Sequence, residues 1–521
     1  MKLTKISAAV AAMAISGTAS AFGPATVHDL ELYISGASAQ DKAISALITT
    51  MCSDIPDHYT AGKNWNAWSC TLNSAAVGTT LVNPKVLIQK RSAGGSGMGV
   101  APVMNATAID SMAISAANCT ADAVVANQWN CGAPATGANP RVPDLGVADV
   151  NPELFVGANV PDGGAAVSPG DISLLMNTKS AAALVFGIPV TTSLRDALQV
   201  LQFGAGAPCA SGPDGLANWK TTGVVPARET EACMPSLQRN QVASIMAGQV
   251  ASWNDFYVNG KRITDPLAYG TAAASISFPT DPNSVVTVCR RVNGSGTQAQ
   301  MSANFLRSPC SSAGVAPVRY NVATEFNGPL VLEGKGSGDV NKCLDDMENA
   351  TNLGKNVFPV VGGTQGNNPT ADGALFNDPS YHRWAIGLQS LEKNPDLQFG
   401  YRFVKIDGAA PTIDNVANGT YLDWAEQSYQ WRKALAGDKL AIVNHITSNA
   451  ANATFLGTTL GPKFDYTFGR SGFLATVGTP AANGVVDHLA PVVPYTHAPG
   501  TAPLDNCRVP MVKAGAASPV I

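Results

Sequence analysis

The chain has 521 residues, 13% of them charged, and a formal net charge of -4. That length leaves room for two or more domains with their own cores, and the acidic balance argues against nucleic acid or an anionic membrane surface as the main partner. With 50 glycines, 34 prolines and about half the usual charge, the surface is expected to be small-polar and loop-rich, as in an extracellular protein.

Residues 1–21 carry Lys2 and Lys5, then an apolar run from Ile6 to Ile15, then Ala19-Ser20-Ala21. This charged, apolar and small-residue order is that of a secretory signal peptide, with Phe22 expected as the first mature residue. No cysteine stands at the cleavage point to take a lipid. No later run reaches the roughly 18 apolar residues of a membrane span, so stable membrane insertion is not expected.

The alternation of residues 29–34 predicts a strand. It runs into Ser35-Gly36-Ala37-Ser38-Ala39-Gln40, after which Ile44, Leu47, Ile48 and Met51 share one helical face, so Ser38 is placed either to cap that helix or to face a ligand. Residues 84–91 read as another strand, followed by the loop Ser92-Ala93-Gly94-Gly95-Ser96-Gly97-Met98-Gly99. Directly after a strand, so glycine-rich a loop is a flexible linker or a cradle that brings backbone N–H groups to a ligand. Residues 101–141 read as an insertion. A strand ending at Ala148 then leaves Asp149 either capping the turn before Pro152 or standing where open α/β sheets bind ligands.

Residues 181–191 are apolar and β-rich, 193–201 helical, and 240–255 a helix closed at Gly248 with Trp253 in the turn beyond. The most informative stretch follows. A β-branched run from Val285 leads through Arg290 and Arg291 into Val292-Asn293-Gly294-Ser295-Gly296-Thr297, and Met301, Phe305 and Leu306 then recur at helical spacing, with Ser295 or Thr297 as cap. A strand, a small-residue turn and a helix start beside a guanidinium make an oxyanion site. No Gly-Lys-Ser/Thr follows, which excludes a nucleotide P-loop. Short strands are expected at 384–388 and 401–408, and the tail after Gly478 is loop-rich.

Ten cysteines in an exported chain point to as many as five disulfides. Proximity along the chain favours Cys52 with Cys70, Cys119 with Cys131, Cys209 with Cys233 and Cys289 with Cys310, which leaves Cys343 for Cys507. There is no CxxC pair, and the six histidines lack HExxH spacing, so neither a metal site nor another cofactor is expected.

Four segments, in this order, resemble the phosphate-binding proteins of ABC importers, including their secreted DING-type members. Ile34-Ser35-Gly36-Ala37-Ser38 is similar to that family's first strand and anion-binding turn, and Leu145-Gly146-Val147-Ala148-Asp149 to its Phe-Gly-Ala-Ser-Asp segment. Ile245 through Asp255 resembles its I-x-x-G-x-I-x-x-W-N-D segment, and Arg291 through Thr297 its Arg-Ser-Asp-Gly-Ser-Gly-Thr, the most specific match. The resemblance implies an α/β, two-lobed type 2 periplasmic binding protein fold with two crossover strands and large loop insertions. One lobe would be built from 22–180 plus 389–521 and the other from 181–388. It implies inorganic phosphate as ligand, an ABC permease as partner, a periplasmic or secreted location, and no catalysis. Carried over residue by residue, Ser38, Ser96 (or Ser92) and Asp149 would face the anion from one side, and Arg291, Ser295, Gly296 and Thr297 from the other. Asp149 would accept a proton from hydrogen phosphate and repel sulfate. Asn293 departs from the family, standing where an Asp pairs with the arginine, which puts the orientation of Arg291 in question. Three alternatives stand beside phosphate capture: a binder of another oxyanion, a weak DING-type phosphatase, and a secreted structural, adhesive or assembly protein.

Overall fold

The computed structural model describes residues 22–206, 208–210, 219–319, 328–351, 357–361, 364–365, 381–480 and 485–513. The signal segment expected at 1–21 lies outside these residues.

Two sheets organise the chain. In the first, the strand Leu30–Gly36 lies between two parallel neighbours, Lys85–Arg91 and Leu145–Ala148. Leu32, Ile34, Val86, Ile88, Leu145 and Val147 are all buried, the apolar pattern of parallel strands covered on both faces. The antiparallel strand Trp424–Arg432 follows, and beyond it Met176–Gly187. The second sheet repeats this order. Thr287–Arg291 lies between parallel Leu330–Gly334 and Ala385–Gly387, followed by antiparallel Pro189–Thr191 and then Tyr401–Phe403.

The sheets exchange chain. Met176–Gly187 passes through Ile188 into Pro189–Thr191; Gln389–Ser390 pairs back onto Phe186 and Gly187; and the final return comes between Phe403 and Trp424. The fold is therefore a mixed α/β architecture of two halves, each built on one sheet of parallel and antiparallel strands. The insertion at 101–141 carries a hairpin, Cys119–Ala121 with Gln128–Cys131, that extends the first sheet at its far edge.

Helix Asp41–Met51 forms where the apolar spacing predicts it and buries Ile44, Leu47, Ile48 and Met51 completely. With helix Gly437–Ala450, which adds Ile442, Val443 and Ile446, it covers Ile34, Ile88 and Val147 on one face of the first sheet. At about 1.5–3 kcal/mol per fully buried aliphatic side chain, this layer holds the strand ends that lead to the cleft. Among the described residues, no helix is long and apolar enough to cross a membrane.

All five disulfides form, with two corrections to the expected pairing. Cys52–Cys70, Cys119–Cys131 and Cys209–Cys233 are as expected, but Cys289 bonds Cys343 and Cys310 bonds Cys507. Nearness along the chain misleads at Cys289 because helix Gly296–Leu306 carries Cys310 away from that strand. Helix Ser337–Asn349 instead packs against the strand and brings Cys343 to it.

Candidate functional site

Parallel strands deliver their carboxyl ends to one edge of a sheet, and there the loops are free to carry ligand groups. In the first sheet these ends lead into Ser38, the loop through Ser96, and Asp149; in the second they lead into Arg291–Thr297 and Ser337. The two edges face each other. Gly97 N donates to Gly294 O at 2.7 Å, Lys63 Nζ to Gly338 O at 3.4 Å, and Arg319 pairs with Asp162 at 3.0 Å, each contact crossing from one half to the other.

At the centre of this interface, Thr297 Oγ1 donates to Asp149 Oδ2 at 3.2 Å. Arg291 Nη1 reaches Ser38 Oγ at 3.4 Å, and Ser38 Oγ lies 3.3 Å from Ser337 Oγ. Ser96 Oγ accepts from the backbone N–H of Asp149 at 3.1 Å, leaving its own hydroxyl proton to be donated. Ser38, Ser96, Asp149, Arg291, Ser295 and Thr297 are all at most 5% exposed. Thus the seven residues singled out from the sequence, Gly296 included, gather at one buried place between the halves.

Packing separates three alternatives that the residues left open. Ser38 does not cap the helix that follows: it opens a short 3-10 turn, and Gln40 precedes Asp41–Met51 without a side-chain cap. Its hydroxyl therefore remains available to the cleft. Ser92 is occupied elsewhere, donating to Asp41 at 2.7 Å and accepting from Lys90 Nζ at 2.8 Å, so the loop serine beside Asp149 is Ser96. Asn293 holds Arg290 rather than Arg291, its Oδ1 accepting from Arg290 Nη2 at 2.9 Å. Successive strand side chains point to opposite faces, which separates the two arginines. Arg291 is oriented by Lys335 O, at 3.0 Å from Nη2, and needs no acid at position 293.

Ser295 caps helix Gly296–Leu306, its Oγ accepting from Gln298 N at 3.4 Å. The turn before it needs Gly294 at φ +85°, and Gly296 is required by closeness: a Cβ there would stand 2.8 Å from Asp149 Cβ and 2.9 Å from Ser96 Cβ. Both partners belong to the opposite half. Gly296→Ala is therefore expected to hold the halves apart, weakening ligand binding at least about tenfold while shifting the melting temperature by only a few degrees; calorimetric titration and thermal melts check this.

Electrostatically, the site is a buried guanidinium beside a buried carboxyl. Burial pushes the Asp149 carboxyl up to about 6, against the opposing effects of the Arg291 charge and the hydrogen bonds from Thr297 and Gln427. Burial likewise pulls the Arg291 guanidinium down from its ordinary value, opposed first by Asp149. Arg291 Nε and Gln298 Nε2, both donors, and the Gln298 Oε1 acceptor are buried without a partner among the described residues, which leaves two interior donors to be met by an acceptor. The set is one forked cation, several hydroxyls and a helix start, with a single carboxylate among them. It suits a tetrahedral oxyanion that carries at least one proton.

Sequence reasoning missed Ser337, Lys90 and Gln427. Ser337 follows Leu330–Gly334 in the run Gly334-Lys335-Gly336-Ser337-Gly338, the same strand, glycine turn and helix start as at Gly294-Ser295-Gly296, and that parallel was the available signal. Lys90 is fully buried; it donates to Gly36 O and Ala37 O at 3.1 Å each and pairs with Asp41 at 3.2 Å, fixing the turn that presents Ser38. Gln427 lies mid-strand in Trp424–Arg432 and carries no local signal.

No protein-family description matches the chain, and no curated protein does. Among solved structures, it is similar to a Clostridium perfringens protein assigned as a phosphate ABC transporter substrate-binding protein, with bound phosphate: 11% identity over 80% of this chain and 92% of that one, TM-score 0.35. An ABC-type phosphate transport receptor of Vibrio cholerae matches at 12% identity over 80% and 93%, TM-score 0.34, and PstS of Borrelia burgdorferi at 9% over 85% and 99%, TM-score 0.31. At TM-scores this low the likeness carries no argument, and the fold rests on the strand order of the two sheets.

Proposed function

We propose that this chain is an exported solute-binding protein that captures inorganic phosphate between its two halves and releases it when they part, performing no chemistry on it. The supporting observation is the burial of Arg291 and Asp149 at one interface, ringed by hydroxyls from both halves. A dehydrated dianion needs a full positive charge and many donors, which Arg291, Ser38, Ser96, Ser337 and Thr297 supply without an excess of cations. Asp149 is the one acceptor among them. It takes the proton of hydrogen phosphate and faces fully ionised sulfate with two unpaired negative charges. An exporting signal segment and five disulfides suit a periplasmic or secreted location, and an ABC permease is the partner this reading implies.

Isothermal titration of folded protein freed of ligand tests the reading. Saturable one-site heat with phosphate is expected, with sulfate far weaker. Absence of any phosphate heat overturns capture, and equal affinity for sulfate overturns the role of Asp149.

A further inference from the structure

Four of the five disulfides close loops of 12 to 54 residues, each within one half of the molecule. Cys289–Cys343 ties the strand ending at Arg291 to the helix starting at Ser337, making the arginine side of the site one rigid piece. Cys310–Cys507 closes a loop of 197 residues and joins the two halves to each other.

Its two ends are anchored differently. Cys310 lies just beyond helix Gly296–Leu306, the helix whose first turn carries Gly296 and Thr297. Cys507 lies in the C-terminal segment, which is fastened to the half that carries Asp149. Asn506 and Asn151 exchange side-chain to backbone hydrogen bonds at 2.7 and 2.9 Å. Thr496 Oγ1 and His497 N each donate to the Glu426 carboxylate at 2.8 Å, and the His497 ring packs at a tilt against Trp424, 4.6 Å between centroids. Val493 N donates to Ala475 O at 3.0 Å, and Lys513 Nζ to Thr476 O at 2.6 Å. Asn151 is only two residues past Asp149, so the segment is pinned directly behind the carboxylate.

We propose that Cys310–Cys507 is a covalent strap that restrains opening of the cleft. The halves are already joined where the chain crosses at Ile188, at Leu388, between Ser390 and Tyr401, and between Phe403 and Trp424. These crossings leave a hinge; a further covalent link, at a separate place, removes part of the freedom to swing and twist about it. The strap holds the unliganded protein near its closed form, which raises apparent affinity by lowering the reorganisation needed to bind, and it slows escape of the ligand. It rests on the reading that the halves part to release ligand, and not on which oxyanion they hold.

The test compares the parent with the paired substitution Cys310→Ser/Cys507→Ser, and with a second form that keeps every cysteine. The second form carries a protease site inserted at the exposed Gly500 and Thr501 and is cut after folding. Small-angle scattering without ligand is expected to give a larger radius of gyration for both severed forms, converging with the parent on saturation with phosphate. Stopped-flow release of phosphate is expected to be about tenfold faster in both. If ligand-free scattering and release match the parent in the severed forms, the strap is overturned. Should the paired variant fail to fold, the cut protein decides. Should the parent bind no phosphate, capture fails while ligand-free scattering still decides the strap.

Discussion

Arg291→Ala is expected to weaken phosphate binding by about a thousandfold. The guanidinium is 1% exposed and is aimed by Lys335 O and Ser38 Oγ. Removing one partner of a buried charge pair costs about 3–5 kcal/mol, and each 1.4 kcal/mol is tenfold in affinity. The loss falls on the ligand and on Asp149 together. Without Arg291 the carboxyl loses the positive charge that opposes its burial, so its pKa rises further and a larger share of it is protonated and unable to accept from hydrogen phosphate. Arg291→Lys keeps the charge but not the fork and is expected to fall between the two. Titration calorimetry on folded variants measures this, and a loss below tenfold for Arg291→Ala would remove the residue from the site.

Asp149→Asn is expected to change selectivity more than affinity. An amide presents a donor to an ionised oxygen where the carboxylate presents a negative charge, so sulfate becomes a competitor and the preference for phosphate falls by at least about a hundredfold, several kcal/mol of discrimination. Competition titrations at pH 8 read it directly; unchanged exclusion of sulfate would contradict it. The same substitution has a pH signature in the ligand-free protein. Burial raises the Asp149 carboxyl from 3.8 to about 6, so the native state holds this proton more tightly than the unfolded chain does. Its contribution to stability is complete below pH 3.8 and is lost as pH rises through about 6, a difference of about 3 kcal/mol. Asp149→Asn is thus expected to be more stable than the parent above pH 6, with the gain vanishing toward pH 4. Denaturant unfolding at several pH values checks the sign.

Much of the cleft was legible locally because each piece follows one rule. A β-rich run, a turn of small residues and a new helical period mark the carboxyl end of a parallel strand, and this singled out Ser38, Ser96, Asp149 and Arg291 through Thr297. Ser337 obeys the same rule and was passed over only because its run, Gly334 through Gly338, lies in a glycine-rich section that reads as loop. The Ser92 and Ser96 alternatives were not separable from sequence. Their roles depend on Lys90, whose ammonium reaches Asp41 and the Ser92 hydroxyl across the strand end.

The sequence by itself determined the strands that end before Ser38, Ser96, Asp149 and Val292 and the helices that follow Ser38 and Ser295, because backbone propensity and side-chain periodicity act within a few residues. Only the tertiary structure decided which of those ends meet. It put Asn293 against Arg290 and gave Arg291 its aim through Lys335 O, since pleat alternation and the neighbouring strand set those contacts. It paired Cys289 with Cys343 and Cys310 with Cys507, since packing, and not separation along the chain, brings sulfurs within bonding distance. It also set the state of Asp149, because the burial that raises its carboxyl is a product of packing, and the hydrogen bonds that partly offset it come from Thr297 and Gln427, far from it in sequence and against it in space.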